Sequence, residues 1–149
     1  MPPPLQDPSL HLAVLPRLFF VSQQQADESI PLSLLERLQQ KSSGAFLSIT
    51  RTSGEISIVG ECLGAEEDSA GADLAKAKAT WRCIKIAGPM SFGLTGVMAD
   101  LTAPLKQAKI PIFALSTWNT DYILVPENKI DRAVEALKED GWIFLANAK

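Results

Sequence analysis

The sequence predicts an α+β fold built from two related units, and two observations carry this prediction. The first is an internal repeat, because residues 44–61 (GAFLSITRTSGEISIVGE) align without gaps over residues 110–127 (IPIFALSTWNTDYILVPE). Each copy has an apolar strand, a polar turn, an acidic residue and a second apolar strand, a pattern typical of a β-hairpin. The second is the β-α-β-β-α-β order of patterns from Trp81 onward, in which two helices cover one face of a four-stranded antiparallel sheet. We therefore expect two ferredoxin-like (βαββαβ) units in tandem, with antiparallel sheets and helices on one face, the N-terminal unit being divergent or truncated.

The N-terminal unit is expected over residues 9–66 and shows only a β-α-β-β pattern. Residues 10–21 are apolar and rich in β-formers, and Pro16 and Arg17 divide them into one bent strand or two short ones. Pro31 suits the first position of a helix, and leucines follow it at helical spacing, namely Leu34, Leu35 and Leu38. A hairpin over residues 45–59 completes the unit, and the acidic, alanine-rich residues that follow predict a linker over residues 67–80.

The C-terminal unit is expected over residues 81–149, and its patterns are clearer. Residues 81–87 form a strand and residues 88–93 a loop, after which a helix carries the apolar stripe Leu94, Val97, Met98, Leu101 and Leu105. Pro104 is expected to kink this helix or to split off its last turn. The second hairpin follows, then a helix with Ile130, Ala133, Val134 and Leu137 on one face. Gly141 stops that helix before a strand over residues 142–145.

Composition excludes several classes of function. Apolar residues make up 46% and charged residues 21% of the 149, which is a globular composition. A net charge of −3 without a Lys/Arg cluster argues against nucleic acid as a partner. No apolar stretch approaches the roughly 20 residues that cross a bilayer, and the N-terminus lacks the basic region of a signal peptide. We therefore expect a cytoplasmic protein with neither a nucleic-acid nor a membrane partner.

The chain is also poor in catalytic groups. It has one histidine, His11, without a second ligand at metal spacing, and no phosphate-binding glycine loop. Cys62 and Cys83 are expected to be reduced, with Cys83 facing the core of its strand. We therefore expect neither an enzyme nor a cofactor or metal, because catalysis needs several converging groups.

One candidate binding element is the loop GPMSFG at residues 88–93, between a strand and a helix. Free backbone N–H groups at a helix start can hold a carboxylate, and Gly93 allows a ligand to approach the main chain closely. The alternative is an ordinary turn in which Ser91 caps the helix.

The other candidate element is the turn of the second hairpin, residues 116–121. Asp121 can pair with an ammonium or guanidinium group, and Trp118 can supply an apolar or cation-binding wall. Ser116 or Thr117 can offer a hydroxyl group. The alternative is a polar turn with an exposed aromatic ring. Because an exposed Trp118 ring is unfavourable in water, we expect the N-terminal unit, a second chain or a ligand to cover it. Together the two elements favour a zwitterion, that is, an amino acid. Glu55 is the repeat counterpart of Asp121, which leaves open an equivalent site in the first half.

Residues 81–137, WRCIKIAGPMSFGLTGVMADLTAPLKQAKIPIFALSTWNTDYILVPENKIDRAVEAL, resemble the C-terminal ACT domain of small tandem-ACT proteins, which are related to aspartate kinases and CASTOR-type arginine sensors. The segment LSITRTSGEISIV resembles their divergent N-terminal ACT-like unit. The resemblance implies a ligand-binding regulatory module in which paired ACT units hold an amino acid at their interface. Trp118 stands where relatives often have Tyr or Phe, and no catalytic domain is attached.

From the residues and the resemblance together we expect a stand-alone regulatory module that binds a small ligand, an amino acid, at the interface between ACT units. A homodimer or a regulated protein is the expected macromolecular partner. The alternative is a module of the same fold that binds no ligand and acts through protein–protein interaction or dimerisation. The predicted ligand-binding residues are Met90, Ser91, Phe92, Gly93, Leu94, Thr117, Trp118, Asn119, Thr120 and Asp121.

Overall fold

A computed structural model describes residues 7–41, 44–62, 80–91 and 95–145 of the chain. The chain divides into two compact units. The C-terminal unit comprises Met1–Pro16 and Arg82–Lys149, and the N-terminal unit comprises Arg17–Trp81. The described residues 7–16 thus group with the C-terminal unit. Residues 67–79 of the expected linker lie outside the described residues.

The N-terminal unit has the predicted β-α-β-β order. Strand β2 (Phe19–Gln24) precedes helix α1 (Leu32–Gln39), and the hairpin strands β3 (Leu47–Arg51) and β4 (Ile56–Glu61) follow. Both pairings are antiparallel, and β4 lies between β3 and β2. The turn between β3 and β4 is closed by the Thr52 hydroxyl oxygen, which accepts hydrogen bonds from two backbone N–H groups, those of Gly54 and Glu55.

One cluster of buried side chains lies in this unit. Among the described residues, it contains one aromatic, one leucine and two isoleucine side chains, namely Phe20, Leu34, Ile56 and Ile58. Of the three leucines predicted on one helix face, only Leu34 is buried, whereas Leu35 and Leu38 are exposed. The helix therefore contributes a single fully buried leucine to the core.

The C-terminal unit contains four strands in the order β1-β5-β7-β6. Strand β1 (Leu12–Val14) pairs antiparallel with β5 (Trp81–Ile86), and β6 (Phe113–Ser116) forms the predicted hairpin with β7 (Asp121–Pro126). Cys83 in β5 is fully buried, as predicted.

Two helices supply the remaining core of this unit. Helix α2 (Val97–Gln107) buries Leu101 and Leu105, and helix α3 (Ile130–Glu139) buries Ala133 and Leu137. These side chains pack with apolar residues of β5 and β7, namely Ile84, Ile86, Ile123 and Val125. The predicted stripes on both helices are confirmed for the described residues. Each fully buried leucine is worth about 1.5–3 kcal/mol in transfer free energy.

Of the two effects predicted for Pro104, a separate last turn does not occur, because α2 continues to Gln107 and the carbonyl of Pro104 accepts a hydrogen bond from Ala108 N–H. A kink at Pro104 stays a prediction. Another local prediction for this unit is wrong. Residues 142–145 do not form a strand, since they make only an isolated parallel bridge between Phe144 and Leu12. Strand β1 occupies the position beside β5, so the end of the chain pairs with three-residue β1 instead.

Within the described ranges, no helix has both the length and the apolar character needed to cross a bilayer.

Candidate functional site

The loop that follows β5 is held by backbone hydrogen bonds on two sides. The N–H groups of Ala87 and Gly88 donate to the carbonyls of His11 and Ser9, both at 2.8 Å. Gly88 has a φ of +66°, a left-handed conformation that favours glycine. Beyond it, Met90 N–H donates to the carbonyl of Asn119 at 2.7 Å. This last bond joins the β5 loop, residues 87–91, to the turn of the β6–β7 hairpin.

The hairpin turn, residues 117–120, packs against the same loop through Thr120. The Thr120 side chain is only 4% exposed, and its hydroxyl donates to the carbonyl of Ile86 at 2.7 Å. A Cβ atom built on Gly88 would lie 3.0 Å from the Thr120 Cβ, so only glycine fits beside this side chain. Thr117 N–H closes the turn by donating to the Thr120 carbonyl at 2.8 Å. The loop and the turn therefore form one packed structure.

A cleft of about 230 Å³ lies between the β5 loop and the hairpin turn. We call it the C-terminal cleft; its lining residues are Met90, Ser91, Ser116, Thr117, Trp118, Asn119, Thr120 and Asp121. Its size suits a small molecule rather than a peptide segment.

Asp121 is the only charged side chain among these lining residues. It lies opposite Ser116 in the hairpin register, and the Ser116 hydroxyl donates to its Oδ1 at 2.6 Å. This short hydrogen bond orients the carboxylate while leaving its second oxygen available to a ligand. Beside it, the Trp118 side chain is 80% exposed. The cleft thus combines a fixed negative charge with an open aromatic ring, an arrangement that suits a cationic or hydrogen-bond-donating group.

The structure brings together the predicted residues that it describes. Met90, Ser91 and the five residues 117–121 all line the C-terminal cleft, whereas Phe92, Gly93 and Leu94 lie outside the described residues. Ser116 was expected only as a possible hydroxyl donor and was not in the predicted set. Its position opposite Asp121 follows from the hairpin register, which is the signal that identifies it. Gly88 and Ile86, which position Thr120, carry no sequence signal of such a role.

The described lining residues offer groups that can bind a ligand. The lining side chains supply hydroxyl groups, one amide, one carboxylate and one indole, but no histidine, cysteine or lysine. Among the described residues, no cluster of three or more His, Cys, Asp or Glu side chains could hold a metal ion. The cleft can therefore pair with a cation and exchange hydrogen bonds, and we assign it no catalytic group.

Replacing Thr120 by valine is expected to destabilise the protein by about 1–2 kcal/mol, because it removes the buried hydroxyl that satisfies the Ile86 carbonyl. Chemical denaturation monitored by circular dichroism measures this change. The matched control is Thr50→Val, at an exposed position of β3, which should change stability by less than about 0.5 kcal/mol. Equal effects of the two substitutions would contradict the positioning role of Thr120.

Comparisons with known proteins agree with this description. A family model described as ACT domain matches residues 76–139. The bovine protein named cytosolic arginine sensor for mTORC1 subunit 1 is 34% identical over 104 residues, covering 67% of this chain and 32% of that protein. The chain thus spans about a third of the length of this relative.

Two solved structures are similar to the chain over most of its length. The X-ray crystal structure of protein Atu0741 from Agobacterium tumefaciens has a TM-score of 0.70 at 30% identity, covering 91% of each chain. The crystal structure of aspartokinase alpha and beta subunits has a TM-score of 0.59 at 12% identity. It covers 87% of this chain and 96% of the other, and this likeness shows the fold alone. The part of the chain that carries the C-terminal cleft, residues 76–139, thus matches the ACT domain family.

Proposed function

We propose that the chain is a regulatory ACT protein that binds an amino acid in the C-terminal cleft. The observation that carries this proposal is that the Asp121 carboxylate, which accepts a hydrogen bond from Ser116, lines the same cleft as the exposed side chain of Trp118. A carboxylate can bind an ammonium or guanidinium group through a charge-assisted hydrogen bond, and an indole ring can bind one through a cation–π contact. Among the described lining residues, Asp121 carries the single charge.

The carboxylate of the amino acid needs other partners, because the described lining residues include no cationic side chain. The side-chain amide of Asn119 can supply hydrogen-bond donors there. The bovine relative is named an arginine sensor, which makes arginine the first ligand to test. Its guanidinium group suits both a carboxylate and an aromatic face.

We infer that the N-terminal unit is a divergent ACT unit in tandem with the C-terminal one. The internal repeat and the β-α-β-β order of the N-terminal unit support this inference. Closure of the ligand site by a second ACT unit stays a prediction. Regulation of a protein partner, or formation of a homodimer, also stays a prediction. A location in the cytoplasm is a further prediction, and the word "cytosolic" in the name of the bovine relative supports it.

Ligand binding is expected to raise the melting temperature, and Asp121→Asn is expected to reduce that rise to half or less. A ligand at a hundredfold excess over its Kd stabilises the folded state by about 2.7 kcal/mol. Loss of the charged hydrogen bond should weaken binding roughly ten- to hundredfold, which at the same ligand concentration lowers this stabilisation to about 0.4–1.4 kcal/mol. The measurement is a thermal-shift assay with each of the twenty amino acids at millimolar concentration.

Asp131→Asn is the matched control for this assay. Asp131 is an exposed aspartate in the first turn of α3 and does not line the C-terminal cleft, so this variant should keep the full ligand-induced rise. An unchanged rise in the Asp121→Asn variant would show that the ligand binds elsewhere.

The alternative function is a module that acts through protein–protein contacts without a ligand. The same exposed ring of Trp118 favours it, since large apolar surfaces are common in interfaces. The two functions separate in the thermal-shift assay, because absence of a rise with every amino acid would leave the interaction module as the better account.

A further inference from the structure

The N-terminal unit contains a cleft of its own, formed by elements equivalent to those of the C-terminal cleft. It lies between the end of β2 with the loop that follows and the turn of the β3–β4 hairpin. Its volume is about 570 Å³. We call it the N-terminal cleft; its lining residues are Gln23, Gln24, Gln25, Ala26, Asp27 and Gly54.

The internal repeat explains why this cleft is the larger one. In the alignment of the two hairpins, Gly54 occupies the place of Thr120 and Glu55 the place of Asp121. Thr120 fills its position with a buried side chain, whereas a Cβ added to Gly54 would meet only the Thr52 hydroxyl oxygen, at 3.9 Å. The first hairpin therefore leaves open a space that the second hairpin fills.

The loop that borders the N-terminal cleft is held in place by a guanidinium group and a carboxylate. Arg51 Nη1 donates to the carbonyl of Ala26 at 2.6 Å, and Nη2 donates to that of Glu28 at 3.4 Å. Glu28 Oε1 in turn accepts a hydrogen bond from Gln25 N–H at 2.8 Å. These bonds tie residues 25–28 to β3, so the loop is preorganised without a ligand.

The chemistry of the lining favours a ligand rich in hydrogen-bond donors. Asp27 is the only charged side chain among the lining residues, and three consecutive glutamines supply amide oxygens beside it. Gln23 Nε2 is already engaged, donating to Glu55 Oε1 at 2.9 Å. Gln24 Oε1 is buried and has no hydrogen-bond partner within the described part of the chain. The described lining residues thus offer a carboxylate and amide oxygens as acceptors, and their single charge is a carboxylate, as it is in the C-terminal cleft.

We propose that the N-terminal cleft is a second binding site, which takes a small polar molecule carrying a primary amine or guanidinium group. The Asp27 carboxylate pairs with the cationic group, and the glutamine amides hold its remaining donors. The open position at Gly54 admits a ligand to a place where the C-terminal unit has a threonine side chain. This site does not require the C-terminal cleft to be occupied.

Two-dimensional ¹H–¹⁵N NMR during titration with each of the twenty amino acids tests the proposal, because it reports on each cleft separately. Backbone amide signals of Gln25 and Ala26 report on the N-terminal cleft, and those of Asn119 and Thr120 report on the C-terminal cleft. We expect at least one amino acid to shift the signals of Gln25 and Ala26, and this shift should reach a plateau as the ligand concentration rises. Asp27→Asn should weaken that binding roughly ten- to hundredfold, since it removes the charged partner.

Gly54→Thr is a second variant that tests the space rather than the charge. It places in the first hairpin the residue found in the second, at a backbone position without a positive φ, and should abolish the shifts of Gln25 and Ala26. Asp131→Asn, on the exposed face of α3, should leave both sets of signals responsive.

The outcomes separate this proposal from the proposed function. Saturable shifts confined to Asn119 and Thr120 would overturn the proposed site in the N-terminal cleft and would support binding in the C-terminal cleft. Shifts at Gln25 and Ala26 that disappear in Asp27→Asn and Gly54→Thr but persist in Asp121→Asn would establish the second site, whether or not the C-terminal cleft binds. Absence of any shift in the wild-type protein would overturn both proposals.

Discussion

Replacing Leu101 by alanine is expected to lower the free energy of unfolding by about 3–5 kcal/mol. Leu101 is fully buried in α2, within the cluster that includes Leu105, Ile123 and Leu137. Truncation removes apolar contacts and leaves a cavity that closely packed neighbours cannot fill completely. Urea denaturation followed by circular dichroism measures the change.

Leu32→Ala is the matched control for this substitution, since it makes the same chemical change in a helix. Leu32 is 74% exposed at the start of α1, so its truncation should cost less than about 0.5 kcal/mol. A loss below about 1 kcal/mol for Leu101→Ala would contradict the packing of α2 described above.

Replacing Gly88 by alanine is expected to destabilise the protein by roughly 2–4 kcal/mol and to abolish ligand binding in the C-terminal cleft. Two costs add here. The φ of +66° strains any L-residue, and the new Cβ would lie 3.0 Å from the Thr120 Cβ and 3.2 Å from the Asn119 carbonyl oxygen. Relief of that crowding would move the hairpin turn away from the β5 loop. Denaturation and the thermal-shift assay with the bound amino acid measure the two effects.

Gly96→Ala is the control that isolates the strain of placing an L-residue at a positive φ. Gly96 also has a positive φ, +77°, but a Cβ added there meets no atom within 4 Å. This control should lose only about 1–2 kcal/mol and should keep ligand binding. If the two variants lose equal stability and both still bind ligand, the close contact between Gly88 and Thr120 has no role in shaping the cleft.

Much of the fold follows from local patterns in the sequence. The buried faces of α2 and α3 are predicted by the spacing of Leu101, Leu105, Ala133 and Leu137, and both hairpins are predicted by alternating apolar strands around polar turns. These predictions succeed because a helix or hairpin brings together residues that are near each other along the chain. Seven of the predicted residues line the C-terminal cleft for the same reason, since each lies in a loop between two predicted elements; their role in binding stays a prediction.

Pairings between distant segments were not predictable in this way. Strand β1 pairs with β5 although about 70 residues separate them, and this pairing displaces the strand expected at residues 142–145. No local pattern shows which of two apolar segments will occupy the same sheet position. The buried hydrogen bond from Thr120 to Ile86 was also not predictable from local pattern, because a threonine in a polar turn is ordinarily exposed.

The sequence alone determined the α+β class, the repeat, the order of elements and the identity of the two loops that line the C-terminal cleft, because these depend on short-range periodicity and side-chain chemistry. Only the tertiary structure decided that Met90 N–H bonds to Asn119 and that the first hairpin leaves an open cleft beside Gly54. These features depend on distances between segments far apart in the chain, which folding sets through packing.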